Sequence, residues 1–455
     1  MSSPIEIDGD IRLEGEAAPA CHPRNTLFRR RLAWLFTEAA NEPFAALVQR
    51  FIFAAYFANV FVGNEETGAG LWAAGLSVVG VLTFLCAPLI GAFVDATGLR
   101  KTSLVWLSVV GAGASCLLWF AEPGMPVLPF LAIFVVSALC VELTIVITNA
   151  ALSSLGTDRE IGFLSGLCFA VGQLVSIFSL LMVFALARAD SGDIGYTSDR
   201  LAPVVAGGAL VLFLLPYLLI ARNTSRSRST GTSVSRTFET LMLTAKEAVR
   251  NRSILGVLLC RSIAGDGLSL LFALASVLAG VALGWRAGEL AVFGIIVTVA
   301  ACVGGLLGGV LDRSFGSLRV IRFGLALVGI ATVGIIGASP DRAFFVPVPR
   351  GEIAFGYSAA ELGFLLAGII AALGAGPCFG GMRALLARLV PEGREAAYFG
   401  IFSLAGRATA FLGPMSYGAA LLVLGDQQLA LFVVLPFLAA GYGALWLVKH
   451  EQRAH

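Results

Sequence analysis

Histidine is nearly absent from this chain and charge is scarce: His22, His450 and His455 are its only histidines, and Asp, Glu, Lys and Arg make up 13% of 455 residues. All three histidines lie outside the apolar runs, so a metalloprotease helix with two zinc-binding histidines is impossible. The glycine loop that cradles phosphate and ends in lysine and Ser or Thr is missing too, which excludes ATP hydrolysis by this chain. Closely paired cysteines are also lacking. Of the eight, Cys86, Cys116, Cys140, Cys168, Cys260, Cys302 and Cys378 sit inside apolar runs, with Cys21 alone in the amino-terminal tail. They read as small buried hydrophobes, not as a zinc or redox site. No apolar core of a cleavable signal peptide precedes residue 31, and a net charge of +2 with no basic domain leaves no role for nucleic acid. Nothing here points to an enzyme, a cofactor or a metal.

What is abundant is hydrocarbon. Hydrophobic side chains make up 58% of the chain, a mix that soluble domains do not tolerate. A helix crosses about 30 Å of hydrocarbon with roughly 20 apolar residues, and such runs recur. They are Leu32–Val62, Leu71–Phe93, Thr102–Phe120, Val127–Leu152, Ile161–Leu186 and Leu201–Ile220, then Ile254–Leu283, Leu290–Leu311, Val320–Ala338, Tyr357–Ala387, Ala396–Leu424 and Leu429–Val448. The pattern predicts an all-α polytopic membrane protein, twelve transmembrane helices in two pseudo-symmetric six-helix bundles. Residues 1–31 form a disordered cytosolic tail, 32–221 the N-terminal bundle, 222–253 a cytosolic linker, 254–448 the C-terminal bundle and 449–455 a second tail. In the linker, Phe238, Leu241, Met242, Ala245 and Val249 recur at helical spacing, predicting a short amphipathic helix in the headgroups.

Twelve spans put both termini on one side, and the cations choose which. One set of loops holds only Arg188, Arg200, Arg286, Arg342 and Arg350, and Arg50, Arg261 and Arg407 fall within runs. The rest of the 31 lysines and arginines gather at the ends and on the other side, with Arg383, Arg388 and Arg394 counted among them as one loop. Positive-inside then places both termini in the cytosol of a bacterial-type inner membrane.

The turns after the second span of each half repeat one another. Gly91, Asp95 and Gly98, followed by Arg100 and Lys101, correspond to Gly308, Asp312 and Gly316, with Arg313 and Arg319 as the cations. This pattern resembles the signature loop of the major facilitator superfamily, and duplicated halves are what transporters built from repeats contain. The resemblance implies a cytosolic gate, in which each aspartate faces the partly positive amino-terminus of a helix from the other half. For Asp95 that is the eleventh span near Arg394, and for Asp312 the fifth near Arg159. Ala96 stands where the pattern commonly has a cation, which weakens the first gate.

A narrower resemblance, to the vacuole-effluxer group of that superfamily, covers nearly the whole chain. It rests on Glu38 to Phe44 with Asn41 and Pro43, on Glu142 with Asn149 and Ala150, on Glu160 to Gly166 with Gly172, and on Asp266 and Gly267. The longest match runs from Gly380 and Gly381 through Arg388, Pro391, Glu395, Phe399 and Gly400 to Gly406–Pro414. Glu38 replaces the family's aspartate, Glu42 and Arg50 replace small residues, and Arg407 a lysine. The resemblance implies export of amino acids or similar zwitterions, with spans 1, 4, 7 and 10 lining the cavity.

Helix geometry reaches part of this independently. Stepping at roughly 100° per residue from Glu38, Glu42, Gln49 and Tyr56 share a face, Asn41 and Asn59 flank it, and Arg50 turns roughly 120° away toward a neighbouring helix. A polar face along a whole span lines a cavity, because a central charge in lipid costs at least about 2.5 kcal/mol. The candidate substrate or proton site is therefore Glu38, Asn41, Glu42, Gln49, Arg50, Glu142, Asn149, Arg261, Asp266 and Arg407. Glu38, Glu142 and Asp266 are the candidate proton carriers, and Arg50 or Arg407 would meet a carboxylate; a fixed ion pair that never titrates is the alternative. The expected partners are a small solute, protons or another coupling ion, and lipid, with the chain acting as a monomer. A transporter-shaped assembly or sensor partner that moves nothing is the second reading.

Overall fold

The computed structural model describes residues 24–449 apart from 64, 190–196, 222, 224–233, 284, 286, 350, 355–356 and 411. The expected tail up to residue 23, Cys21 and the end beyond 449 lie outside the described residues. The first described helix is α1 (Arg24–Phe44), so Arg29, Arg30 and Arg31, expected in the tail, belong to a helix. It continues through a π-helical stretch (Ala45–Phe51), α2 (Ile52–Tyr56) and a second π stretch (Phe57–Phe61). There follow α3 (Glu65–Thr97), α4 (Arg100–Leu117), α5 (Val127–Asn149), α6 (Asp158–Ala189) and α7 (Thr197–Ile220). The linker carries α8 (Val234–Arg250), which presents Met242, Leu243 and Val249 outward and buries Thr244 and Ala248.

The second half comprises α9 (Arg252–Leu283), α10 (Ala287–Phe315) and α11 (Ser317–Ile336). Two short antiparallel hairpins come next, β1 (Arg342–Ala343) with β2 (Val346–Pro347) and β3 (Glu352–Ala354) with β4 (Tyr357–Ser358). Then come α12 (Ala359–Leu389), α13 (Glu395–Ala408), α14 (Leu412–Leu424), α15 (Gln427–Ala430) and α16 (Val434–Ala444). A capping box starts α12: the Ser358 hydroxyl accepts from the Glu361 amide while the Glu361 carboxylate accepts from the Ser358 amide.

Ten helices among the described residues are long and apolar enough to cross a membrane. The other two expected spans, Leu32–Val62 and Ala396–Leu424, are interrupted helices, one by π stretches and one between α13 and α14. Each half packs crosswise on the other: α3 lies against α13, and α6 against α10. Glycines make these approaches possible. A methyl group at Gly91 would meet the Ala396 carbonyl, one at Gly400 the Ala87 carbonyl, and one at Gly166 the backbone of Gly305 and Gly309. The contacts between halves described below gather on the side that carries α8, called here the linker side.

Candidate functional site

Two-thirds of the way along α1, the Glu38 side chain meets an arginine that composition alone places in a loop. Arg383 lies six residues inside the end of α12, about 9 Å of helix, with its side chain only 7% exposed. Its Nη1 donates to Glu38 Oε2 at 2.9 Å and to Asn149 Oδ1 at 3.1 Å. Its Nε donates to the Ser165 hydroxyl at 2.9 Å, and its Nη2 to the Ser165 carbonyl at 2.8 Å. The Ser165 hydroxyl in turn donates to the Gly380 carbonyl at 2.8 Å, and the guanidinium lies over the Trp34 ring. The loop assignment is corrected by the length of α12, which carries this apolar-flanked cation back into the protein. Glu142 stands half-buried on α5, two turns before Asn149.

A second cluster belongs to the C-terminal half. Arg261 on α9 places its guanidinium over the Phe379 and Phe402 rings, at 5.8 and 5.4 Å. Asp266, 5% exposed, lies beside Thr409 in the break between α13 and α14. Asp266 Oδ2, Thr409 Oγ1 and Arg261 Nε are nonetheless buried without a hydrogen-bond partner of good geometry. Asn41 donates to the Thr37 carbonyl at 2.8 Å, and its own Oδ1 is equally unpartnered. The side chains of Arg407 and Asn59 lie outside the described residues. No group of three or more His, Cys, Asp and Glu able to hold a metal ion occurs among the described residues.

The polar face of the first span needs two corrections, both with one cause. Arg50 does not turn to a neighbouring helix; its Nη2 pairs with Glu42 Oε2 at 2.6 Å, with the Arg50 side chain 49% exposed. The π stretch Ala45–Phe51 widens the helix so that each residue advances by less than 100°, and the guanidinium swings back over the carboxylate. Tyr56 likewise leaves the polar face and is buried, donating to the Ala121 carbonyl at 2.6 Å. Gln49 stays half-buried, and Glu38 and Glu42 both pack against Gly172 of α6. One cysteine also departs from expectation, since Cys116 is exposed on the bundle surface where hydrocarbon suits it.

The two repeated turns share a backbone device. Gly98 and Gly316 have φ of 70° and 79°, positive values that favour glycine, and each donates its amide to the carbonyl four residues back. Their aspartates differ. Asp95 accepts from the Ala396 and Ala397 amides, at 3.3 and 2.8 Å, at the start of α13. Asp312 packs against Gly162 in the first turns of α6, where no side chain fits, but its hydrogen bonds come from both terminal nitrogens of Arg388. Arg313 lies 3.9 Å from the Phe163 ring centre. Beside the first turn, Arg394 donates to Glu247 of α8 at 2.6 Å and also bonds the Thr244 hydroxyl.

Comparisons with known proteins agree with this architecture. A family model described as "Vacuole effluxer Atg22 like" matches residues 159–455. The MFS-type transporter YxiO of Bacillus subtilis is 20% identical over 92% of this chain and 94% of its own. Autophagy-related protein 22 of Cryptococcus neoformans is 25% identical over 60% of this chain, which spans about half the length of such fungal relatives. Among solved structures, the proton:xylose symporter XylE superposes with a TM-score of 0.70 at 14% identity, covering 93% of this chain and 95% of that one. A bacterial homologue of the iron transporter ferroportin, in an outward-facing state, gives 0.66 at 17% identity, covering 93% and 98%. Likeness at this level establishes the major facilitator fold.

Proposed function

This chain belongs to the Vacuole effluxer Atg22 like family, and from that membership we propose that it is a secondary transporter that exports a small zwitterionic solute, amino acids above all, coupled to protons. The observation that carries the reading is an ion pair between the halves, Glu38 of α1 with the buried Arg383 of α12, with Arg261 and Asp266 close to one another inside the C-terminal half. Arg383 and Asp266 are buried, and Glu38 and Arg261 partly so, where a closed structural bundle would place hydrocarbon. Charges of both signs suit a zwitterion, whereas a hydrophobic cargo asks for fewer and a phosphorylated one for more cations. The linker side is the cytosolic side by its lysines and arginines, and the two repeated turns act there as gates. Glu38, Glu142 and Asp266 are the candidate proton carriers, because a carboxylate that changes neighbours between two states can take up and release a proton. The chain works as a monomer in a bacterial-type inner membrane.

The test is solute movement in proteoliposomes under an imposed pH gradient, for the wild-type protein and for Glu38→Gln, Glu142→Gln and Asp266→Asn. At least one amide variant should move solute without responding to the gradient. Full coupling in all three would end the proton assignment. A thermal-shift screen against amino acids, peptides, nucleosides and organic acids narrows the cargo, and silence from every zwitterion would remove the amino-acid reading.

A further inference from the structure

Arg383 spends its hydrogen bonds in an unusual direction. A guanidinium carries five N–H donors, and the four bonds described above go to Glu38 on α1, Asn149 on α5 and Ser165 on α6. Arg383 itself is on α12, so each of these bonds crosses from the C-terminal half to the N-terminal half. The Ser165 hydroxyl returns one bond to Gly380, a turn earlier on α12, which closes the contact in both directions. The backbones meet closely enough because Gly166 on α6 presses against Gly305 and Gly309 with no space for a side chain. Any motion that parts the halves on the linker side must strip this buried cation of these partners together.

We infer that Arg383 is a positioning residue that ties closure of the linker side to the charge on Glu38: the ionised carboxylate holds the clasp shut, and a proton on Glu38 releases it. The inference rests on the alternating-access reading above and adds the counter-ion through which the proton would act. The charge argument is local. Arg383 on α12 and Cys168 on α6 are the titratable or charged groups brought closest to Glu38 by other helices. On its own helix Glu42 is occupied by Arg50, and Arg31 by Glu160 on α6. Glu142 stands on α5 two turns before Asn149, the residue that shares Arg383 with Glu38, and the Asp199, Arg200 and Tyr217 side chains of α7 lie toward the two ends of that helix. An ionised Glu38 bonds to a fixed guanidinium fork, the stronger charge-assisted form. A neutral Glu38 keeps only the weaker one. The sign follows: closure is favoured at alkaline pH and lost as pH falls.

The experiment places spin labels at Leu99→Cys and Glu392→Cys, exposed positions on the linker side of opposite halves, in a cysteine-depleted protein in liposomes. Distances are read at acid and alkaline pH. The wild-type pair should be short at alkaline pH and lengthen in acid. Glu38→Gln and Arg383→Gln should be long at both, with the closed-to-open ratio lowered about tenfold, equivalent to about 1.4 kcal/mol. Arg383→Lys should restore part of the pH response, because it keeps the charge and loses the fork. If Arg383→Gln does not fold, Ser165→Ala removes one acceptor while sparing the ion pair, and should shift the same ratio toward open. Short, pH-independent distances in the amide variants, or in Ser165→Ala, overturn the clasp. Solute transport is measured on the same liposomes: transport with distances that ignore both substitutions sinks the clasp alone, and a pH-driven clasp without transport sinks the transporter reading alone.

Discussion

The two repeated turns use one backbone solution and two different electrostatic ones. Asp95 stands three residues before its positive-φ glycine, Asp312 four before its own. Both nevertheless stand four residues after a glycine, and both reach the first turns of a helix of the other half. Asp95 reaches free amides at a helix start, where the interaction is with backbone dipoles. Asp312, 2% exposed at its side chain, is instead held by the guanidinium of Arg388. The comparison teaches that duplication preserved the helix-ending glycine and the aspartate, while the partner was decided by the neighbouring helix in each half.

Breaking the ion pair should have the largest effect. Arg388→Ala leaves a buried carboxylate unpaired and should cost about 3–5 kcal/mol, read as a fall in the thermal unfolding temperature of the detergent-purified protein. Asp312→Asn added to it should recover much of that loss; a double variant as unstable as the single would show that Arg388 contributes by packing. Next comes Gly91→Val, which drives a side chain into the Ala396 backbone and should cost about 1–3 kcal/mol in the same measurement. Asp95→Asn keeps an acceptor for the α13 amides and loses the charge, so its expected cost is smaller, about 0.3–2 kcal/mol. If it equals Arg388→Ala, the proposed difference between the two turns is wrong. Smallest is Arg313→Ala, which removes a cation from the Phe163 face at about 0.5–1 kcal/mol; Ala96→Arg in the other turn should change stability by less still.

Much of the candidate site was legible in the chain. Glu38, Asn149 and Asp266 announce themselves because ionisable and amide groups are costly inside apolar runs. Asp95 and Asp312 are legible because a glycine four residues earlier and another just beyond mark a helix end. Arg383 was not. It stands near the end of an apolar run with two further arginines close behind, and composition alone reads such a trio as a loop. Nor could stepping at 100° foresee Arg50 over Glu42 or Tyr56 turned inward, because the π stretches that reset the helix leave no compositional mark. The α8 helix was visible from its periodicity, yet the Arg394 bonds that fasten it beside the Asp95 turn were not.

The sequence by itself determined that this chain is helical and apolar, that it is duplicated, and which of its residues are too polar for lipid, because those properties are local sums over side chains and their period. Only the tertiary structure decided the pairings. Arg383 and Glu38 are 345 positions apart, and nothing in either segment specifies the other. Their meeting follows from the close approach of α6 to α10 and α12, which glycines permit and backbone geometry completes.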